Sequence, residues 1–173
     1  TYFIVRGDNR WAEKHPEETH RTFLMSARFL AEGKQLVIDP MQGYFAQQIQ
    51  PDRENKAYWE VYDRTSGAKH TDWSCDEKTG TVVVRNARPM HEYTVNFMAK
   101  VIWHPVQIYN YLTNNWTCEK QRMYDPAFPN TAEYIKRHMD EWCKAHPETD
   151  VVRFTTFLYQ FTLIFNEKGK EKY

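Results

Sequence analysis

The sequence predicts an α/β fold, a parallel core of strand and helix units with an inserted antiparallel β-meander. Three observations predict it. First, Glu92–Trp103 places Tyr93, Val95, Phe97, Ala99, Val101 and Trp103 at period two, and past the His104-Pro105 break Val106–Trp116 turns helical. Second, Asn130–Ala145 repeats apolar residues at helical spacing, and a short turn, His146-Pro147-Glu148-Thr149, leads into the apolar run Asp150–Phe161. Strand and helix followed by helix and strand is the pattern of a parallel α/β core. Third, Trp59–Asn86 breaks into short β-branched and aromatic segments separated by turns at Gly67 and Gly80, which reads as the meander.

The elements follow in chain order. Tyr2–Val5 reads as a strand and Arg6-Gly7-Asp8 as the turn after it. Pro16–Glu32 is predicted helical: Pro16 suits a first turn, Glu17 and Glu18 complement the dipole, and Phe23, Leu24, Ala27 and Leu30 share a face before Gly33. Leu36–Ile38 is a short strand, and Tyr44–Ile49 a short helix ended by Pro51. Within the meander, Asp63, Asp72 and Asp76 are read as turn-starting residues that bond locally, not as an acidic cluster. Asn130 and Glu133 form a capping-box pattern at the start of the last helix, whose buried stripe is Ile135, Met139 and Trp142, and Cys143 is read as a buried structural cysteine on that stripe.

Composition narrows the function. The 173 residues suffice for one domain. Lys plus Arg and Asp plus Glu are both 23, which argues against a general nucleic-acid binder. No apolar run approaches the roughly 20 residues of a membrane span. Cys75, Cys118 and Cys143 are odd in number, scattered and without a CxxC, so a reducing, cytoplasmic setting is expected. Asn115-Trp116-Thr117 matches a glycosylation acceptor, which matters only in a secreted protein. Aromatic residues make up 16% of the chain, a composition that suits either sugar binding or ordinary core packing.

Standard catalytic patterns are missing. The sequence has no Gly-rich phosphate loop and no G-x-S-x-G elbow. His15 and His20 are five apart and His138 and His146 eight apart, neither a zinc spacing, so no metal site is expected. No pair of carboxylates stands at strand ends as a hydrolytic glycosidase requires. The anomaly is Arg153, a guanidinium in the most apolar predicted strand. A buried cation needs anions, so either a protein carboxylate or a ligand phosphate is its partner.

Several stretches carry a resemblance: Met90–Met98, Ile102–Trp116, Asp150–Phe165, Trp59–Gly67 and Tyr2–His15. Together they resemble the galactosyl phosphorylases of the 1,3-β-galactosyl-N-acetylhexosamine (lacto-N-biose) phosphorylase family, in one register across the chain. The resemblance implies a bacterial, cytoplasmic glycosyltransferase-type enzyme with a partly irregular (β/α)8 TIM-like barrel, of which residues 1–173 would be the amino-terminal part and 59–86 the meander insertion. It implies inverting phosphorolysis of galactosyl-β-1,3-N-acetylhexosamine to α-galactose 1-phosphate, with inorganic phosphate as co-substrate and no other cofactor. Its partners would be galactoside and phosphate, without nucleic acid or membrane, and the full-length enzyme a homodimer.

By the same resemblance Arg153 matches a phosphate-binding arginine, Asn110 a residue that bonds the galactosyl unit, and Val106 a position near the acceptor sugar. Members acting on galactosyl-β-1,4-rhamnose carry Thr at that last position. The general acid is expected beyond Tyr173, and another phosphate-site arginine before Thr1. A chain that opens on a strand without Met is then expected to be a fragment, inactive alone. The competing readings are a non-catalytic carbohydrate-binding module and galactosyl-rhamnose specificity.

Overall fold

Alternation along one long strand organises most of the structure. The computed structural model describes residues 2–4, 7–44, 49–103 and 119–155, with backbone only at 2–4, Trp103 and 153–155. Two compact units divide the described residues: one is Arg21–Lys100, the other the residues up to His20 together with those from Val101 onward.

In the Arg21–Lys100 unit the strands are β2 (Arg21–Met25), β3 (Phe29–Leu30), β4 (Gln35–Ile38), β5 (Ile49–Pro51), β6 (Glu60–Asp63), β7 (Ala68–His70), β8 (Trp73–Cys75), β9 (Val82–Arg85) and most of β10 (Glu92–Trp103). β10 pairs antiparallel with β2 (Asn96↔Met25 to Lys100↔Arg21), with β3 (Tyr93↔Phe29) and with β6 (Tyr93↔Asp63 to Asn96↔Glu60), and it also pairs β5. β6 continues through Gly67, at φ 75°, into β7. β8 and β9 form a second hairpin, which joins β4 in a separate three-stranded sheet. Residues 60–85 are therefore antiparallel hairpins, as the turn residues predict, but they are shared between two sheets.

The odd-numbered side chains of β10 build the core. Tyr93, Val95, Phe97 and Ala99 are buried with Leu24, Ile38, Trp59, Val61, Val82 and Val84. Phe97 meets Trp59 edge-on with ring centroids 5.7 Å apart, and Tyr44 at 5.9 Å. Each fully buried apolar side chain of this kind contributes about 1.5–3 kcal/mol.

The predicted helix Pro16–Glu32 is not formed. Only Pro16–Glu18 turns, as a 3-10 segment, and β2 and β3 follow. Of the supposed helical stripe Leu24 is buried, whereas Phe23 is 60% and Leu30 47% exposed. The stripe had no surface to pack on, while β10 offered a full edge of backbone partners, so pairing overrode spacing. Ile49, predicted as helix end, begins β5; residues 45–48 lie outside the described residues.

In the other unit, β1 (Tyr2–Ile4) pairs parallel with β12 (Arg153–Thr155), Tyr2 opposite Arg153. The sequence then runs through Gly7, bridged to Met123, into a short helix α1 (Asn9–Lys14) capped by Asp8, whose Oδ1 accepts from the backbone N–H groups of Arg10 and Trp11. A Cβ on Gly7 would lie 2.5 Å from the carbonyl oxygen of Arg122, which explains glycine there. The end of β10 pairs with β11 (Gln121–Arg122). Helix α2 (Pro129–Ala145) precedes β12.

Three details differ from expectation. The capping box does not form: Phe128 is the N-cap and has no side-chain bond. Cys143, expected to be buried, is exposed: it falls one position past the stripe, of which Ile135 is buried and Met139 and Trp142 partly so. Val151 is 70% exposed and β12 begins at Arg153, so the apolar run enters its strand later than its composition suggests. The helix predicted over Val106–Trp116 and the strand predicted beyond Thr155 lie outside the described residues.

Candidate functional site

Arg153 opens β12, and the residues before it are anchored by packing and by a polar lattice. Val152, like Trp11, Tyr134, Met139 and Trp142, packs against the small core of Tyr124 and Ile135. Trp11 stacks with both Tyr134, ring centroids 4.2 Å apart, and His15, at 4.0 Å. Its Nε1–H donates to Thr131 Oγ1 at 3.0 Å. Thr131 Oγ1–H in turn donates to Glu18 Oε2, and Asn130 Nδ2 donates to Glu18 Oε1 at 2.8 Å.

Glu18 thus supplies the anion at the start of α2 that the helix's own residues do not. The Thr131 hydroxyl, more than burial opposes it, holds the Glu18 carboxyl below the usual range, helped by Asn130 and the Thr131 backbone N–H. At the other end of the stack Tyr134 O–H donates to Asp8 Oδ2. Burial, reinforced by that carboxylate, pushes Tyr134 up to about 12. Burial would raise Asp8, but Tyr134 and the backbone N–H groups of Trp11 and Arg10 prevail and lower it. The lattice fixes α1 against α2, and α2 leads directly into the strand that carries Arg153.

His15, Glu17 and Glu18 offer ligand atoms within 4.8 Å of one another. Both Glu18 oxygens are engaged by Asn130 and Thr131, so Glu18 is an anchor for α2 and no cation is assigned to the trio. No described helix is long and apolar enough to cross a membrane.

The Arg21–Lys100 unit holds two further polar clusters. Asp63 is 4% exposed; its Oδ1 accepts from the backbone N–H of Thr65 and Ser66, and its Oδ2 lies 2.7 Å from His91 Nδ1. Burial opposes ionisation here, yet the Ser66 and His91 hydrogen bonds more than offset it, and the carboxyl falls to about 2. Asp76 likewise accepts from the Lys78 and Thr79 N–H groups, so Asp63 and Asp76 are turn residues as read, whereas the Asp72 carboxylate bonds away from its own turn, accepting from Asn86 Nδ2 at 2.7 Å with Arg85 Nη1 at 3.7 Å. Asp52, fully buried, accepts from Arg21 Nε at 2.7 Å and Asn55 Nδ2 at 2.8 Å, with Lys100 Nζ at 3.6 Å.

Of the residues predicted for the site, Arg153 has its backbone on the parallel strand β12. Asn110 and Val106 lie outside the described residues. Glu18, Asp8 and Tyr134 were not anticipated as a group. Asp8 showed only as a turn residue and Glu18 as a dipole complement, and nothing local joins them to residues more than a hundred positions away.

The described residues define a mixed α/β protein: a parallel strand pair entered from an amphipathic helix, with antiparallel sheets and no closed barrel among them. Residues 1–173 match the family described as lacto-N-biose phosphorylase N-terminal TIM barrel domain, and the chain belongs to that family. Among its relatives, 1,3-beta-galactosyl-N-acetylhexosamine phosphorylase of Bifidobacterium longum is 43% identical over 176 residues, covering 99% of this chain and 23% of the relative. The corresponding Lachnoclostridium phytofermentans phosphorylase, Cphy3030, is 41% identical over 100% of this chain and 25% of its own length. A D-galactosyl-beta-1->4-L-rhamnose phosphorylase from the same organism is 38% identical over 100% of this chain and 24% of its own length. The chain spans about a quarter of the length of these relatives.

Proposed function

We propose that this chain is the amino-terminal portion of a TIM-barrel domain in an inverting β-galactoside phosphorylase acting on galactosyl-β-1,3-N-acetylhexosamine. The observation that carries the reading is the family match over residues 1–173, together with relatives named for that activity. In the reaction an oxygen of inorganic phosphate forms the new bond to the galactosyl anomeric carbon. The glycosidic C–O bond breaks and the leaving oxygen takes a proton from a carboxylic acid, giving α-galactose 1-phosphate and the free acceptor. Phosphate replaces the water and second carboxylate of an inverting hydrolase.

Arg153 is assigned to the phosphate. Its guanidinium is a planar fork of donors suited to two phosphate oxygens, and it offsets the charge of the incoming nucleophile. Asn110 is assigned to the galactosyl hydroxyls and Val106 to the wall beside the acceptor. The parallel pairing of β12 with β1 fits a barrel segment, but Arg153 opens β12 and so stands at the amino end of the described strand; its assignment rests on the resemblance and on guanidinium chemistry.

The test uses the full-length enzyme with galactosyl-β-1,3-N-acetylglucosamine and phosphate. Release of α-galactose 1-phosphate is expected, and Asn110→Ala is expected to raise KM for the galactoside at least tenfold with the phosphate KM little changed. Phosphate-independent release of free galactose would overturn the reading. A preference for galactosyl-β-1,4-rhamnose would shift the acceptor to that of the 38% identical relative.

A further inference from the structure

The outer face of the β2–β10–β6 sheet carries a cation that its surroundings hold but do not neutralise. Register places Met25, Asn96 and Glu60 in one row, with Tyr62 and Thr94 in the next and Leu30 opposite Glu92. These side chains share the face opposite the core, because Tyr93, Val95 and Phe97 point inward. Arg64, the residue after β6, lays its guanidinium over this face. Its Nε–H donates to Thr94 Oγ1 at 2.7 Å, and its Nη2 to Asn96 Oδ1 at 3.2 Å and Met25 Sδ at 2.9 Å. Its Cζ is 5.2 Å from the centre of the Tyr62 ring.

Every one of those partners is neutral. The carboxylates nearest in register are already engaged: Glu60 by Lys69 Nζ at 2.7 Å and the Tyr62 hydroxyl, and Glu92 by Arg28 Nη1 at 3.0 Å. Arg21 and Lys100, the other cations on these strands, have Asp52. Among the described residues Arg64 forms no ion pair. Three neutral contacts fix its orientation and leave Nη1 available. A guanidinium so held is preorganised for a carboxylate. Register puts exposed apolar side chains on the same face: Phe23 is 60% exposed, Met25 47% and Leu30 47%. An isolated phosphate or a sugar would leave these three in water, whereas a protein segment covers them.

We propose that this face docks a protein segment that presents a carboxylate flanked by apolar side chains, the carboxylate pairing with Arg64 and the apolar residues covering Phe23, Met25 and Leu30. The proposal is independent of the catalytic reading above. It predicts what the surface selects from a random-peptide library displayed on phage and panned against the immobilised full-length enzyme. Enriched peptides are expected to carry Asp or Glu next to Leu, Phe or Met. Synthetic copies are expected to lose binding about tenfold on changing that acid to its amide, on Arg64→Gln in the protein, and on Phe23→Ser. The peptide substitution leaves the protein untouched, and Phe23 is exposed enough for its replacement to spare the fold.

Four results would overturn the proposal: no enrichment, peptides without an acid, binding indifferent to Arg64→Gln, or full displacement by inorganic phosphate alone. Self-association in sedimentation that is abolished by Arg64→Gln would replace the proposed occupant with a second copy of the chain.

Discussion

Replacing Asp63 with Asn isolates the contribution of one buried charge in the first hairpin. Asp63 gathers Thr65 N–H at 3.0 Å, Ser66 N–H at 3.1 Å and His91 Nδ1 at 2.7 Å, tying the β6–β7 turn to the start of β10. Its carboxyl drops from 3.8 to about 2 on folding. At about 1.4 kcal/mol per pH unit this is worth on the order of 2.4 kcal/mol. The turn lies at the surface, so solvent screening lowers the expected figure to about 1–2 kcal/mol. The sign follows from the depression: the stabilisation is complete above the unfolded carboxyl's range and is lost as pH falls through about 2. About half should remain at pH 3. Urea unfolding of the wild type and Asp63→Asn at pH 7 and pH 3 measures it. A gap of about 1–2 kcal/mol that shrinks at pH 3 is expected. A gap near zero at pH 7, or one that widens on acidification, would refute the reasoning.

Two further outcomes are expected from the unit that contains β12. Gly7→Ala would place a Cβ 2.5 Å from the Arg122 carbonyl oxygen, so the backbone beside the bridge to Met123 must shift, and a lowered Tm in thermal unfolding is expected. Glu18→Gln removes the anion at the start of α2, so amide exchange in its first turn is expected to quicken at neutral pH. Because the Glu18 carboxyl is held low, that difference should fade as acid protonates the wild-type residue.

The sequence displayed what is local and regular. β10 matches its predicted span, Glu92–Trp103, because alternation at period two is visible over twelve residues. Helix α2 is displaced by one residue from its predicted start, and the Asp63 and Asp76 turns are as their residue types indicate. What was not legible depends on partners far along the chain. Arg21–Met25 reads as helix until β10 lies beside it, and the cap of α2 comes from Glu18, 112 and 113 positions before the residues it meets. The candidate site was legible through resemblance more than through pattern, since one arginine in an apolar run states a need for an anion without saying which. Arg64 is inconspicuous in the sequence for a similar reason: its separation from carboxylates exists only once the strands are in register.

The account's central claim is that Arg153 receives the phosphate that attacks the galactosyl carbon. Steady-state phosphorolysis by the full-length enzyme with Arg153→Ala, at varied phosphate and saturating galactoside, tests it most directly. KM for phosphate is expected to rise at least tenfold while KM for the galactoside stays within about twofold, the loss of a charge-assisted pair to one substrate only. An unchanged phosphate KM, or an equal rise for both substrates, would contradict it.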